Sequence, residues 1–310
     1  MKILDHKILS SDGVHTLAGV VYVPAEKPVG ILQVVHGMTE YIGRYRRFME
    51  DMAKEGWVVC GHDHLGHGGT AVDSSEWGYI APENGWDLLC RDAYAFGSSV
   101  REAYGRELPY VLMGHSMGSF VARITAARYI TSEDELAGLI IMGTGGPNPA
   151  AGLGIALTRI IRRIKGEKHV SKLVHSLAFG GYLKPFREEQ DVYAWLTTDL
   201  SVRDAYRSDP LCTFPFTVSA MGDLIRLTKE ANAPAWFKAM PTNLPILLVS
   251  GENDPVGGMG KGVNAVYRRL KRAGKDVTCC LYHGYRHEIL NDESYGRVIR
   301  DIRDFLNARL

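Results

Sequence analysis

The chain has 310 residues, 45% of them hydrophobic and 23% charged, which is enough apolar content for one large α/β domain or two ordinary ones. Its 36 basic residues against 35 acidic ones leave a net charge of +1, so no global electrostatic signal points to nucleic acid or an anionic surface. The five cysteines, Cys60, Cys90, Cys212, Cys279 and Cys280, are odd in number and form no CxxC pair. That excludes a disulfide framework and a zinc knuckle, and it fits a reducing, cytoplasmic setting.

In chain order, "MKILDHKILSSDGVHTLAG" has no sustained apolar stretch after its early lysine and does not read as a signal peptide. No apolar run approaches the roughly 20 residues needed to cross a bilayer. "ILDHKILS" and "VHTLAGVVYVP" read as paired strands around a Ser11-Asp12-Gly13 turn. "GILQVVHG" is a buried strand, followed by a helix from about Tyr45 to Glu55, and "GWVVCGHD" is the next strand. "GWDLLCRDAYAFGSSVREAYG" reads as a helix with Leu88, Leu89, Tyr94, Phe96 and Val100 inward. "YVLMG" and "LAGLIIMG" are two further buried strands with a helix between them, on which Phe120, Val121, Ile124 and Ala127 share a face.

From Gly145 to about Thr242 the alternation breaks into a helix-rich stretch with "GIALTRIIRRIKG", "KLVHSLAFGG" and the loop "SDPLCTFPFT". It then resumes with strand "PILLVSG", helix "GVNAVYRRLKRAG", strand "DVTCCLY" and a closing amphipathic helix, "SYGRVIRDIRDFLNARL". Strands alternating with helices predict a mostly parallel sheet covered on both faces. The expected organisation is one α/β domain, residues 1–144 and 243–310, interrupted by a helical cap, residues 145–242.

G-x-S-x-G is weak evidence in a chain with 34 glycines, but "PYVLMGHSMGSF" sets Ser116 between a buried strand and a helix. That is the setting of a nucleophile elbow, in which side chains at positions 114 and 118 would collide with the neighbouring elements. A serine hydroxyl needs a base and an orienting carboxylate, following in the order Ser, Asp/Glu, His, each after a strand. "PILLVSGENDPVGG" offers Glu252 and Asp254; the proline after Asp254 favours extended geometry there, which can aim its carboxylate across the sheet edge. "TCCLYHGYRHEILNDE" offers His283 at the strand end and His287 on the following loop, where a movable imidazole is needed. An oxyanion needs donors as well, and the backbone N–H groups of Met117 and of Met38, in "HGMTEY", fit by position.

Taken together, "VVHGMTEYIGRY", "GHDHLGHG", "GHSMGS", "SGENDPVG", "RHEILND" and "DPLCTFPFT" resemble the α/β-hydrolase superfamily, and within it the monoacylglycerol lipase and bacterial lysophospholipase group, over about Leu32 to Asp292. The resemblance implies the α/β-hydrolase fold with an inserted cap. It implies Ser116 as nucleophile, His287 as base, Asp254 as orienting acid, and Met38 and Met117 as oxyanion donors, with Gly37, Glu40, Arg44 and His115 in support. It implies that Glu40 and Arg44 pair behind the oxyanion loop; an ordinary i,i+4 surface pair worth a few tenths of a kcal/mol is the plainer reading. Tyr41 stands where the group usually has histidine, Leu65 where arginine is usual and Ser119 where a second glycine is common; the first two are expected to line or support the mouth of the site. The activity implied is hydrolysis of a small acyl ester, monoacylglycerol or lysophospholipid, without cofactor or metal. The alternatives are a carboxylesterase on small soluble esters and a silent hydrolase fold that only binds.

Three other features carry rival readings. His62, Asp63, His64 and His67 have H-x-H spacing that can hold a metal, but no third anchored ligand is evident and turn-forming roles account for them. "ALTRIIRRIKGEKHVSKL" is basic and amphipathic, so it suits transient contact with a lipid surface. The commoner outcome is that its stripe of Leu157, Ile160, Ile161 and Ile164 packs on the domain below. Trp195, Phe214, Phe216 and Trp236 are candidates for an acyl pocket or for cap core.

Overall fold

A computed structural model describes residues 1–130 and 135–310. Continuous apolar runs form the fully buried strands β3 (Gly30–Val35), β4 (Trp57–His62), β5 (Tyr110–His115), β6 (Gly138–Met142) and β7 (Ile246–Gly251). With β1 (Lys2–Leu9), β2 (Thr16–Val23) and β8 (Val277–Tyr282) they make an eight-stranded sheet in the order β1-β2-β4-β3-β5-β6-β7-β8. The β1–β2 hairpin is antiparallel, with Leu9 opposite Thr16, and β2 joins β4 antiparallel; from β4 to β8 every pairing is parallel.

Helices α1 (Arg46–Lys54) and α10 (Tyr295–Asn307) cover one face with Phe48, Met49, Met52, Val298 and Ile302. Helices α2 (Gly85–Tyr104), α3 (Met117–Arg128) and α9 (Lys261–Arg272) belong to the opposite core, with Phe96, Val121, Ile124 and Val266. Both cores sit against one sheet, so each large aliphatic side chain they bury is worth about 1.5–3 kcal/mol. The amphipathic reading of α3 understates its burial: Met117 to Ala126 are buried on every side. The reason is that α3 is wedged between the sheet and a second layer of helices.

That layer comes from the excursion between β6 and β7, which are neighbours in the sheet. The excursion holds α4 (Ala151–Lys165), α5 (Lys172–Phe179), α6 (Leu200–Ser208), α7 (Val218–Ala231) and α8 (Pro234–Ala239). Helix α7 packs on α2 and α3 from above, and α4 packs on α7. The stripe expected on α4 is only half covered: Leu157 and Ile161 are packed, whereas Ile160 and Ile164 are 57% and 73% exposed. Gly154 lies beside Ile225 and Thr158 beside Gly222, so the two helices run antiparallel. The last turn of α4 therefore passes the start of α7, where Arg162 bonds to Pro82 and Glu83 while Ile164 faces outward.

Arg123 fastens this layer to the body. It is fully buried and donates to Thr144 Oγ1 at 3.2 Å, to Asn232 Oδ1 at 3.3 Å and to the Ala231 carbonyl at the end of α7. Its guanidinium lies 4.3 Å from the Trp236 ring centre. Burial, with the charge of Arg269 adding to it, lowers its pKa to about 9. A cation at the carbonyl end of a helix is favourable, and the bonds it makes are ones that α7 cannot make internally. Arg123→Ala is expected to cost about 3 kcal/mol, because it opens a cavity and leaves buried acceptors unmatched. Urea denaturation of the two proteins measures it.

Candidate active site

Parallel strands present their carboxyl ends at one edge of the sheet, and in such sheets that edge is where ligands bind. The loops after β3, β5, β7 and β8 meet there, carrying Met38, Ser116, Asp254 and His287. Ser116 joins β5 to α3 with φ 54° and ψ −121°, a conformation few side-chain-bearing residues adopt. A Cβ at Gly114 would run into the Gly118 carbonyl, and one at Gly118 into the carbonyls of Val35 and His36. The turn thus requires glycine on both sides for close approach. Ser119, where a second glycine was the usual residue, is accommodated by donating its hydroxyl to the Ser116 carbonyl at 2.6 Å.

Asp254 is fully buried and accepts from His287 Nδ1 at 2.8 Å, from the Val256 N–H at 2.8 Å and from Ser250 Oγ at 3.4 Å. With Nδ1–H donated to Asp254, Nε2 of His287 is the acceptor nitrogen. Glu252 and His283 pair with each other instead, at 2.6 Å on the surface. Ser116, Met117, Met38 and His287 all line one cavity of about 1030 Å³. The Trp195 ring lies 5.2 Å from that of His287, and Phe214 is also on the wall. Phe216 packs on His67 and Trp236 on Arg123, both away from the cavity. Leu65 does not line the mouth either; it is buried in the core, because its loop folds inward beneath the site.

Behind Met38 the supporting residues form a buried charged network. Glu40 precedes the helical turns, so its ion pair with Arg44 (3.7 Å) is not a helix-surface pair. Arg44 also reaches Glu288 at 2.5 Å, and that residue was not singled out from the sequence. The only signal for it was its place directly after His287. Glu40 accepts from the Gly37 N–H, and from Tyr45 Oη at 2.8 Å; His115 Nδ1 lies 3.3 Å away. His115 Nε2 donates to the His287 carbonyl at 3.2 Å. Burial pushes the Glu40 carboxyl up, but the His115 hydrogen bond and the charges of His115 and Arg44 prevail and hold it near about 2. Burial works against a charged His115, yet Glu40, by hydrogen bond and charge, and then Glu288 raise its pKa.

The histidine-rich loop serves the backbone. His64 donates Nε2–H to the His36 carbonyl at 3.1 Å and its N–H to His36 Nε2 at 2.9 Å; His67 bonds the Leu65 carbonyl at 2.9 Å. Asp63 accepts from the N–H groups of Ile42 and Gly69. His62 stacks 4.8 Å from Phe96, and neither of its nitrogens has a partner. Among the described residues no group of three or more His, Cys, Asp or Glu side chains converges as a ligand set.

The sheet, its flanking helices and this edge define an α/β-hydrolase. The chain belongs to the family described as serine aminopeptidase, S33, whose model matches residues 26–294. It is 26% identical to the monoacylglycerol lipase of Mycolicibacterium smegmatis, over 98% of this chain and all of that one. Among solved structures, it resembles a thermostable carboxyl esterase from Bacillus coagulans in complex with glycerol, with TM-score 0.93 and 30% identity over 99% of both chains. It also resembles a lipase in an open form, with TM-score 0.90 and 27% identity over 99% of both. The family match and these relatives together support an ester hydrolase of the monoacylglycerol lipase-like group.

Burial lowers the pKa of His62 to about 3, far below that of an unfolded histidine. Above about pH 6.5 both states are neutral and nothing is lost; as pH falls below it, the unfolded chain takes the proton and the folded one does not, so stability drops. His62→Phe removes this contribution. Relative to wild type, the variant is expected to gain up to about 1.4 kcal/mol per pH unit between about pH 6.5 and 4. Urea midpoints at several pH values in that window measure the difference.

Proposed function

We propose that the chain hydrolyses the acyl ester of a neutral monoester of the monoacylglycerol type through a Ser116 acyl-enzyme. The observation that carries this reading is Ser116 on its strained turn, sharing a cavity with a histidine whose other nitrogen is bonded to a buried aspartate. Ser116 Oγ adds to the ester carbonyl carbon as His287 Nε2 takes its proton, and Asp254 holds the imidazole tautomer. The N–H groups of Met38 and Met117 stabilise the oxyanion. Collapse of the intermediate breaks the ester C–O bond, and His287 returns the proton to the leaving alcohol. Water, deprotonated by His287, then adds to the acyl carbon, and the second collapse restores Ser116 and releases the fatty acid.

The cavity argues for the head group. Among the described residues on its wall there is no lysine or arginine, and its carboxylates are Glu40 and Glu288. His115 on the wall is already paired with Glu40, so a phosphate entering the cavity would lose its hydration without gaining a free cation. That favours an uncharged glycerol ester over a lysophospholipid. Both carboxylates are ion-paired with Arg44, and Glu40 also accepts from Gly37 and Tyr45, so neither is free to hold the ammonium of a peptide N-terminus. The volume and the apolar wall suit an acyl chain. A carboxylesterase on small soluble esters is the second reading, favoured by the likeness to the Bacillus coagulans enzyme. In either case residues 145–242 act as a cap over a catalytic domain, and five unpaired cysteines agree with a cytoplasmic setting.

Hydrolysis of p-nitrophenyl esters from acetate to palmitate is expected to peak at medium or long chains. Monolauroylglycerol should be turned over in preference to lysophosphatidylcholine, and aminoacyl p-nitroanilides not at all. Ser116→Ala should abolish turnover and fluorophosphonate labelling, and Asp254→Asn should lower kcat by about 10⁴-fold. A peak at acetate would favour the second reading, and full activity of Ser116→Ala would overturn both.

Leu153, Leu177 and Val192 line the cavity and are 78%, 69% and 61% exposed, and Ile160 and Ile164 extend this apolar rim along a helix whose charged residues are all basic. These features support transient contact of the cap with a lipid surface. Replacing Ile160 and Ile164 together by Glu should reduce sedimentation with phosphatidylglycerol vesicles several-fold. The rate on p-nitrophenyl butyrate in solution should stay within about twofold.

A further inference from the structure

Thr39 directly follows Met38 and has φ 50°. For a β-branched residue this is a strained outlier that persists only where its surroundings impose it. All three of its polar groups are held. Its N–H donates to His67 Nε2 at 3.3 Å, its carbonyl accepts from Tyr206 Oη at 2.9 Å, and its Oγ1 lies 2.9 Å from the same Tyr206 oxygen. Since Tyr206 has one hydroxyl hydrogen and gives it to the carbonyl, Thr39 Oγ1–H is the donor in the second bond. On the other side of Met38, the Gly37 N–H is fixed by Glu40. The Met38 peptide is therefore bracketed between two anchored neighbours, and one of the anchors belongs to α6, in the segment inserted between β6 and β7.

Helix α6 is itself well fixed. Asp199 caps its first turn by accepting from the N–H groups of Ser201 and Val202, and Tyr206 is buried with Arg44 4.7 Å from its ring centre and Tyr193 at 5.2 Å. A second tie runs parallel to the first, from Tyr41 Oη to Asp209 Oδ2 at 3.0 Å. The position where a histidine is usual thus holds a tyrosine whose hydroxyl reaches the inserted segment.

We infer that Tyr206 is a positioning residue for the oxyanion hole: its hydroxyl holds Thr39 in the left-handed conformation that presents the Met38 N–H to the carbonyl attacked by Ser116. This rests on the hydrolase reading above. It makes the geometry of the hole depend on the inserted segment staying seated, because a shift of α6 removes two of the three bonds that offset the strain at Thr39. The donor is then displaced, whereas removing the Tyr206 hydroxyl alone leaves its ring on the cavity wall. A misplaced donor costs less than a missing one, about tenfold to a hundredfold in rate.

The test is Tyr206→Phe, which keeps the ring and its packing, beside Ser116→Ala and wild type. On a monoacylglycerol the expected result is a fall in kcat of about tenfold to a hundredfold with KM within about twofold. Affinity for a trifluoromethyl ketone, which forms a tetrahedral oxyanion on the serine, should fall by the same factor as kcat. Glycine takes positive φ without strain, so Tyr206→Phe should cost several-fold less in a Thr39→Gly background than in wild type. Unchanged kcat, a loss confined to KM, or an equal cost in the Thr39→Gly and wild-type backgrounds would each overturn the inference while leaving the hydrolase reading in place. If Ser116→Ala is as active as wild type and the ketone does not bind, the reading itself has failed and this inference falls with it.

Discussion

At position 118 the backbone of α3 comes so close to the end of β3 that even a Cβ would strike the carbonyls of Val35 and His36. That approach sets the distance between the serine turn and the loop beginning at Gly37. A single methyl group there would push α3 outward, carry the Ser116 turn away from Met38, and separate the amide of Met117 from the loop it faces. Ser116 is in turn held from the other side, its N–H donating to the Met142 carbonyl of β6 at 3.0 Å. The sheet, rather than the loops, therefore fixes the serine. Met38 and His287, on other loops, have to be brought to it.

Bringing them requires burying charge. Glu40 lies after β3, Glu288 after β8, and Arg44 joins them; His115, at the end of β5, touches Glu40 and the carbonyl of His287. With His115 protonated the group carries two positive and two negative charges and is neutral as a whole, in keeping with the upward direction of its pKa. A buried set of this kind contributes little net stability, because desolvation offsets the attraction. What it does provide is geometric: a guanidinium placed between two carboxylates, hydrogen-bonded to Glu288 and ion-paired with Glu40, cannot move toward one without leaving the other. The loop with Met38 and the loop with His287 are tied to a single cation.

The parts of this arrangement that were legible in the sequence are those set by local chemistry. Apolar runs reported the buried strands, and the glycines around Ser116 reported a steric need internal to one turn. The proline after Asp254 and the loop position of His287 favoured the two residues that do bond to each other. Glu288, Tyr206 and Arg123 were not legible, since their roles arise from elements far apart in the chain meeting in space. An arginine in the middle of a helix reads as a solvent-facing residue; Arg123 is buried only because α7 ends above it. For Leu65 the sequence left open whether it lines the mouth or supports it from below, since a likeness carries position along the chain and not the direction in which a loop folds; it is buried in the core.

The excursion between β6 and β7 divides along the same logic. Helix α7 is covered by α4 above and by α2 and α3 below, and its inward residues Val218, Ala220, Met221 and Leu227 are fully buried. By packing it belongs to the body as much as to the insertion. Helices α4 and α5 rest on that layer and leave Leu153, Ile164, Leu173 and Leu177 largely exposed. An apolar cluster left facing water forgoes about 1.5–3 kcal/mol for each large side chain that stays uncovered. Of the uncovered residues Leu153 and Leu177 line the cavity, while the covered ones of α7 hold α3 in place behind Ser116. Within the excursion, apolar surface is therefore left open beside the cavity and closed behind the serine turn, where a gap would let α3 move.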